Sequence, residues 1–412
     1  MANSRKVLVL PIQILSLLIL FSFLLPVFRI GGYGVKLDLL LLGPLLLALI
    51  TQNFNAKKDN FIKSILRVSI CVFFSMFFSN SIGNYFFNDS NFFYFPAEYV
   101  HFLSKVLILY CFYLVSREGY LSISFFLKCI EWIFLIAVLV GLFQILNLPF
   151  VNKVTEIYAL SENQVLGISS LNSRVFSING NILTWAGWSS IIVIYSIIIC
   201  NNKLYKTLLF CLGIINLIYS SSRGALIALM LSLIIFLLIK AIVERKISTF
   251  FINSLVTLIV GCSTLLSLTY FFGDRFFTYI ERFSVLDDAI LKSGRNVQMR
   301  NIYTIFSEDS WNFIFGIGKN TVDSIGLMEV EPFFILFSYG VVGFMLQYYF
   351  VGKVVAKGIV LSKESKYGLF LVTSVIFYII FSFGFFFLRE IYSGLLFWSI
   401  VGFFIGYHDR VK

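Results

Sequence analysis

The chain is a succession of long apolar runs separated by short polar segments. A helix that crosses a bilayer needs about 20 mostly apolar residues. On that rule spans are predicted near 7–28, 37–51, 64–83, 98–115, 129–149, 181–200, 204–219, 224–243, 249–272, 329–351, 367–387 and 391–407. The pattern reads as an all-α, polytopic integral membrane protein of about 12 transmembrane helices, a single membrane domain over residues 1–412. The opening "MANSRKVLVLPIQILSLLILFSFLLPVF" has the basic start and apolar run of a signal peptide. Its run is long and no small-x-small site follows, so it reads as an uncleaved first span.

Basic residues orient the spans, because cytoplasmic loops hold more Lys and Arg than exported ones. With the N-terminus inside, the inner segments carry Arg5, Lys6, Lys57, Lys58, Lys63, Arg67, Arg117, Lys128, Lys203, Lys206, Lys240, Arg245, Lys246, Lys353, Lys357, Lys363, Lys366, Arg410 and Lys412, and the short outer segments carry few. Both termini are then cytoplasmic. Two longer segments fall outside, about 150–180 and about 273–328, and the second is the longest non-spanning stretch. The longest inner segment, 352–366, is too short to fold alone, so the chemistry belongs to the membrane and its outer face.

Composition agrees with the pattern. Of 412 residues 59% are hydrophobic and 13% charged, which excludes an ordinary soluble domain. The net charge of +11 sits mainly in short loops between apolar runs, where it encodes topology, so nucleic acid is set aside as a partner. Cys71, Cys111, Cys129, Cys200, Cys211 and Cys262 lie within or beside apolar runs without paired spacing. They read as packing residues, with no disulfide framework and no metal site.

The outer face concentrates arginine. "YSSSRGALIALM" (Tyr219–Met230) puts Arg223 at the seam between two spans, "LNSRVFSINGNILTWAGW" (Leu171–Trp188) carries Arg174, and "SGRNVQMRNIYTIFSEDSWNFIFGIG" (Ser293–Gly318) carries Arg295 and Arg300. A lone interfacial arginine is commonly a snorkelling anchor. Arg174, Arg223 and Arg295 each stand beside Ser, Asn or Gly, small residues that let a ligand approach the backbone. Guanidinium groups match phosphate oxygens two at a time, and three of them suit a diphosphate.

From Arg295 the spacing to Met299, Ile302, Tyr303 and Phe306 predicts a helix with one apolar face, lying along the membrane with the arginine in its first turn. "FGIG" (Phe315–Gly318) reads as the turn that ends this segment. Glu329 and Glu331 stand at the outer mouth of the next span. Pro332 suits a first helical turn, which puts Glu331 at a helix start, where the dipole favours an anion.

These stretches together resemble the O-antigen polymerase and ligase family of bacterial envelope glycosyltransferases, the Wzy-type polymerases and the lipid A-core ligases. The likeness rests on "SRVFSINGN", "SSSRGALIAL", the outer loop opening with "GRNVQMR" and closing with "WNFIFGIG", and "EVEPFFILFSYGVVG", in order over about residues 171–343. It implies a membrane glycosyltransferase (GT-C-like) fold in the bacterial inner membrane and a donor glycan on undecaprenyl diphosphate. Transfer on the periplasmic face, without nucleotide sugar, metal or other cofactor, is implied as well. The family's outer-face arginines on the lipid diphosphate map here onto Arg174, Arg223 and Arg295, and Arg300 is grouped with them. Ligases of the family show a histidine at the end of the long loop. This chain has only His101 and His408, and Glu331 occupies the comparable place, which favours the polymerase of lipopolysaccharide biosynthesis.

On this reading Arg223 and Arg295 stabilise charge developing on the diphosphate, and Glu331 takes the acceptor proton. The partners are the undecaprenyl-diphosphate-linked oligosaccharide, membrane lipid and a chain-length regulator protein. The alternatives are an O-antigen ligase that transfers polymer to lipid A-core, and a transporter or flippase of lipid-linked sugars. Against the transporter, no two related halves are visible, and the candidate buried charges are few, chiefly Asp38, Lys105 and Glu131.

Overall fold

A computed structural model describes residues 9–30, 33–52, 60–86, 96–158, 174–244, 294–307, 309–325, 330–386 and 391–411. Among them the chain is helical apart from one hairpin. Helix α1 (Val9–Phe21) passes through a 3-10 turn (Ser22–Leu24) into antiparallel β1 (Phe28–Ile30) and β2 (Tyr33–Val35), with Phe28 opposite Val35 and Ile30 opposite Tyr33. The first apolar run was expected to reach residue 28 as helix. It stops earlier because Pro26 has no N–H with which to continue the ladder.

The chain continues through α2 (Leu37–Thr51), α3 (Asn60–Phe86), α4 (Pro96–Arg117), α5 (Ile123–Ile145), α6 (Pro149–Glu156), α7 (Ile182–Ile198), α8 (Lys203–Tyr219) and α9 (Arg223–Glu244). Then come α10 (Gly294–Ser307), α11 (Ser310–Phe315), α12 (Lys319–Ile325), α13 (Glu331–Ser362), α14 (Lys366–Phe381) and α15 (Ile391–Val411). Side-chain oxygens of Ser122, Asn181, Asn202, Asp309 and Ser365 cap α5, α7, α8, α11 and α14 by accepting from first-turn amides that have no partner within the helix.

The expected count of twelve spans is not reproduced. Among the described residues five helices are long and apolar enough to cross a membrane: Asn60–Ser81, Glu98–Arg117, Ile123–Ile145, Arg223–Glu244 and Glu331–Ser362. Val9–Leu24, Leu37–Thr51, Ile182–Ile198 and Lys366–Phe381 are apolar but shorter. The run at 249–272 lies outside the described residues.

The outer surface of the bundle is apolar: Leu10, Leu47, Phe74 and Met345 are each more than half exposed. Lipid is as apolar as leucine, so burial of apolar area cannot hold such helices together, and close packing with internal polar bonds must. Of the cysteines expected to be packing residues, Cys111, Cys129 and Cys200 are buried, whereas Cys71 and Cys211 are exposed.

The tightest helix pairing is α15 on α4. A Cβ at Gly402 would overlap the Leu109 carbonyl, and one at Gly406 the Tyr113 carbonyl, so the two backbones touch through a Gly-x-x-x-Gly stripe. The adjacent Phe403 ring stacks on Phe126 of α5 at 3.7 Å between centroids.

Contacts sort into two ends. At the basic end Gln13 donates to the Tyr120 carbonyl (2.7 Å), and Lys357 pairs with Asp409 (2.9 Å) and lies over the Phe61 ring. His408 meets Glu364 at 3.0 Å there, and Lys366 donates to the Ile199 carbonyl and to Asn201. At the other end Tyr158 donates to the Leu24 carbonyl (2.8 Å), Lys36 lies over Phe23, and Asn80 bridges Tyr99 and the Lys319 amide. Segments assigned to one side by the alternating threading thus meet one another.

The run at 329–351 is not one straight span. Gly340 breaks α13 with φ 65° and ψ −174°, leaving a short arm from Glu331 and a long arm to Ser362. Glu331 N–H donates to the Ser382 carbonyl (3.1 Å), and the Tyr348 hydroxyl bonds the Ser382 side chain. In a straight helix residues 331 and 348 would stand about 25 Å apart at 1.5 Å per residue. Sharing Ser382 requires the short arm to fold back against the long one. The break frees helical carbonyls, and "FGIG" supplies their donors: Ile317 N–H bonds the Phe337 carbonyl (2.9 Å) and Gly318 N–H the Ser338 carbonyl (3.1 Å). Only glycine fits at Gly316 and Gly340, where each backbone lies against the other and both have positive φ.

Gly402→Ala and Gly406→Ala are each expected to lower stability by about 1–3 kcal/mol through overpacking against a carbonyl. Gly352→Ala, which meets open space, should be neutral or slightly stabilising. Melting of the purified variants in detergent checks this, and equal melting of all three would refute the close pairing.

Candidate functional site

The segment 174–181 runs as irregular backbone beside α5, α7 and α8, and α5 satisfies the backbone groups of Phe176 and Ser177. Gln144 of α5 is the main clamp. Its Oε1 accepts from Ser177 N–H (2.8 Å) and Phe176 N–H (3.3 Å), while its Nε2 donates to the Ser177 carbonyl (3.2 Å). The Ser177 hydroxyl donates to the Ala137 carbonyl (2.6 Å). Nearby, Asn216 of α8 accepts from the Trp185 indole (3.1 Å) and donates to the Val138 carbonyl (3.1 Å). It reaches α5 because Gly141 has no Cβ; one built there would fall on the Asn216 side chain.

This clamp fixes the two arginine segments against each other. Val175 N–H donates to the Tyr219 carbonyl (3.3 Å), so the residue after Arg174 lies on the last turn of α8. The chain then turns through Ser221, at φ 54°, and Arg223 opens α9. Arg174 is exposed and Arg223 half-buried.

Glu331 is brought to the same end by α14. The Phe381 ring packs on both arginine-side helices: it lies 3.1 Å from a Cβ built at Gly187 of α7 and 4.0 Å from one built at Gly224, next to Arg223. The following residue, Ser382, accepts from the Glu331 amide. Glu331 is 1% exposed and opens α13 with Pro332 in its first turn, the helix start read from the sequence. Glu331 is enclosed because the folded-back arm carries its own N-terminus inward.

The remaining arginines are placed differently. Helix α10 forms over the stretch predicted, with Ile302 and Phe306 buried, and Phe306 packs on Phe337 of the short arm (5.0 Å) and on Phe313 (5.9 Å). Tyr303, expected on the apolar face, is 61% exposed. Arg300 is exposed, and no contact among the described residues joins it to Arg174 or Arg223. Arg295 is the second residue of α10, and its side chain lies outside the described residues, as does Glu329. The arrangement suits anion binding at Arg174 and Arg223, where a helix N-terminus adds its own partial positive charge. No group of three or more His, Cys, Asp or Glu suited to a metal occurs among the described residues.

The sequence reading missed Gln144, Asn216 and Trp185, which hold the site without lining it. A polar side chain inside an otherwise apolar run is the signal that marks the first two.

Gln144→Leu leaves three buried backbone groups unsatisfied, at about 1–3 kcal/mol each. It is expected to destabilise the protein and to loosen the contact between residues 175 and 219. Cysteines placed by Val175→Cys and Tyr219→Cys should cross-link on mild oxidation, and far less so when combined with Gln144→Leu; failure to cross-link in the otherwise native chain would contradict the juxtaposition. Neither models of known protein families nor curated proteins match this sequence, so its residues and their geometry carry the functional reading.

Proposed function

We propose that this protein is a membrane glycosyltransferase of the O-antigen polymerase type, moving a growing glycan from undecaprenyl diphosphate onto a new lipid-linked repeat unit. What supports the reading is one juxtaposition. The segments bearing Arg174 and Arg223 are hydrogen-bonded to each other, and the enclosed Glu331 meets the same end of the bundle through α14.

In the proposed reaction the bond between the donor sugar and the diphosphate breaks as an acceptor hydroxyl attacks, and negative charge collects on the departing diphosphate. Arg174, Arg223 and Arg295 stabilise that charge, and Glu331 takes the hydroxyl proton. Removing one preorganised donor from such a site costs about 10²–10³ in rate. The twelve-pass threading with short apolar helices counted as spans belongs to this proposal. So do the GT-C-like architecture, cytoplasmic termini and a periplasmic site in a bacterial inner membrane.

Arg223→Ala and Arg295→Ala should each leave inserted protein that makes little or no long polymer, read as the surface-glycan ladder on a gel. Wild-type chain lengths in both variants would end the proposal. A strain lacking the protein should show single repeat units; accumulation of long lipid-linked polymer would indicate a ligase instead.

A further inference from the structure

At the arginine-bearing end, Asn179 and Thr184 are among the buried side chains that lack a hydrogen-bond partner among the described residues. Both amide atoms of Asn179, 3% exposed, lack a hydrogen bond, as does the hydroxyl of Thr184, 2% exposed. The polar side chains on either side of Asn179 are satisfied: Asn181 caps α7 by accepting from Leu183 and Thr184 amides, and Ser177 is held by Gln144 and the Ala137 carbonyl. An orphaned buried amide or hydroxyl costs about 1–3 kcal/mol, and here three such atoms fall within six residues of one segment.

Their positions are informative. Asn179 lies in the turn between Ser177 (φ 49°) and Gly180 (φ 64°), in the segment that begins at Arg174 and rests on Tyr219. Thr184 lies one helical turn before Gly187, on the face of α7 that meets Phe381. That face leads to Ser382 and Glu331. The orphaned groups therefore share one end of the bundle with the paired arginine segments and the enclosed carboxylate. An amide offers a donor and an acceptor side by side, and a hydroxyl adds one more of either kind. Such a set matches adjacent ring hydroxyls or an acetamido group.

We infer that Asn179 and Thr184 form a subsite for the sugar attached directly to the carrier diphosphate, completing their hydrogen bonds only when that sugar is bound. This rests on the proposed function, since the sugar is located by the diphosphate beside it. Phosphate grip and sugar reading are then divided: the arginines hold any polyprenyl diphosphate, and Asn179 with Thr184 distinguishes one that carries a glycan.

The test is binding to the full-length protein in detergent, followed by melting temperature and by titration. The two probes are undecaprenyl diphosphate and the lipid-linked oligosaccharide extracted from cells lacking this protein. The wild type should bind the sugar-bearing lipid more tightly than the bare one. Thr184→Val, which removes the orphaned hydroxyl with little change of shape, should melt without ligand at or above the wild-type temperature. It should lose about tenfold in affinity for the sugar-bearing lipid and keep its affinity for bare undecaprenyl diphosphate. Asn179→Ala should show the same split, and Arg223→Ala should weaken both probes. If both lipids bind the wild type equally, or if Thr184→Val and Asn179→Ala preserve the preference for sugar, the subsite is overturned and the diphosphate reading stands. If the wild type binds neither lipid, the proposed function fails and the subsite falls with it.

Discussion

A single side-chain amide allows irregular backbone to sit inside an apolar bundle. Peptide groups away from water must be bonded within the protein, and helices meet that demand by themselves whereas a loop does not. Gln144 answers for Phe176 and Ser177 together, using both ends of its amide, and Asn216 ties the adjoining helices at the same level. Without such groups the stretch from Arg174 to Asn181 would have to leave the bundle for water, and its arginine would part from the start of α9.

A second device has the opposite effect, interrupting a helix to bring its beginning indoors. At Gly340 the chain reverses, and the carbonyls released by the reversal are met by amides of the Phe315–Gly318 loop. The loop and the break make a matched pair, each with a glycine where the other's backbone passes. Glu331 consequently arrives from within a doubled helix, its backbone N–H bonded to the Ser382 carbonyl, and does not hang from a surface loop. Mobile surface chain would give it neither the enclosure nor the fixed neighbours.

Local features of the fold were legible in the sequence. Apolar runs marked most helices, Pro332 marked the start of α13, and the spacing after Arg295 predicted a helix whose Ile302 and Phe306 are buried. What stayed hidden depends on partners distant in the chain. Gly340 looks like any glycine in a membrane helix until Phe315–Gly318 is seen against it. Tyr303 has the right spacing for a buried face, yet the burial of α10 falls on Ile302 and Phe306, and it is Phe306 that meets the short arm of α13 at Phe337. Hydropathy also overstated span lengths, as at Pro26, because it registers apolarity and not the hydrogen bond that proline withholds.

The glycine stripe of α15 has a bearing on biogenesis. Tyr113 and Asp409, joined across this pairing, are 296 residues apart in the chain. At about 5–20 residues per second, synthesis of that interval takes roughly 15–60 s. Throughout that time the groove on α4 faces lipid or a chaperone, since its proper occupant has yet to be made. Helix α4 therefore waits for α15 in the membrane with two backbone carbonyls, those of Leu109 and Tyr113, uncovered along its seam.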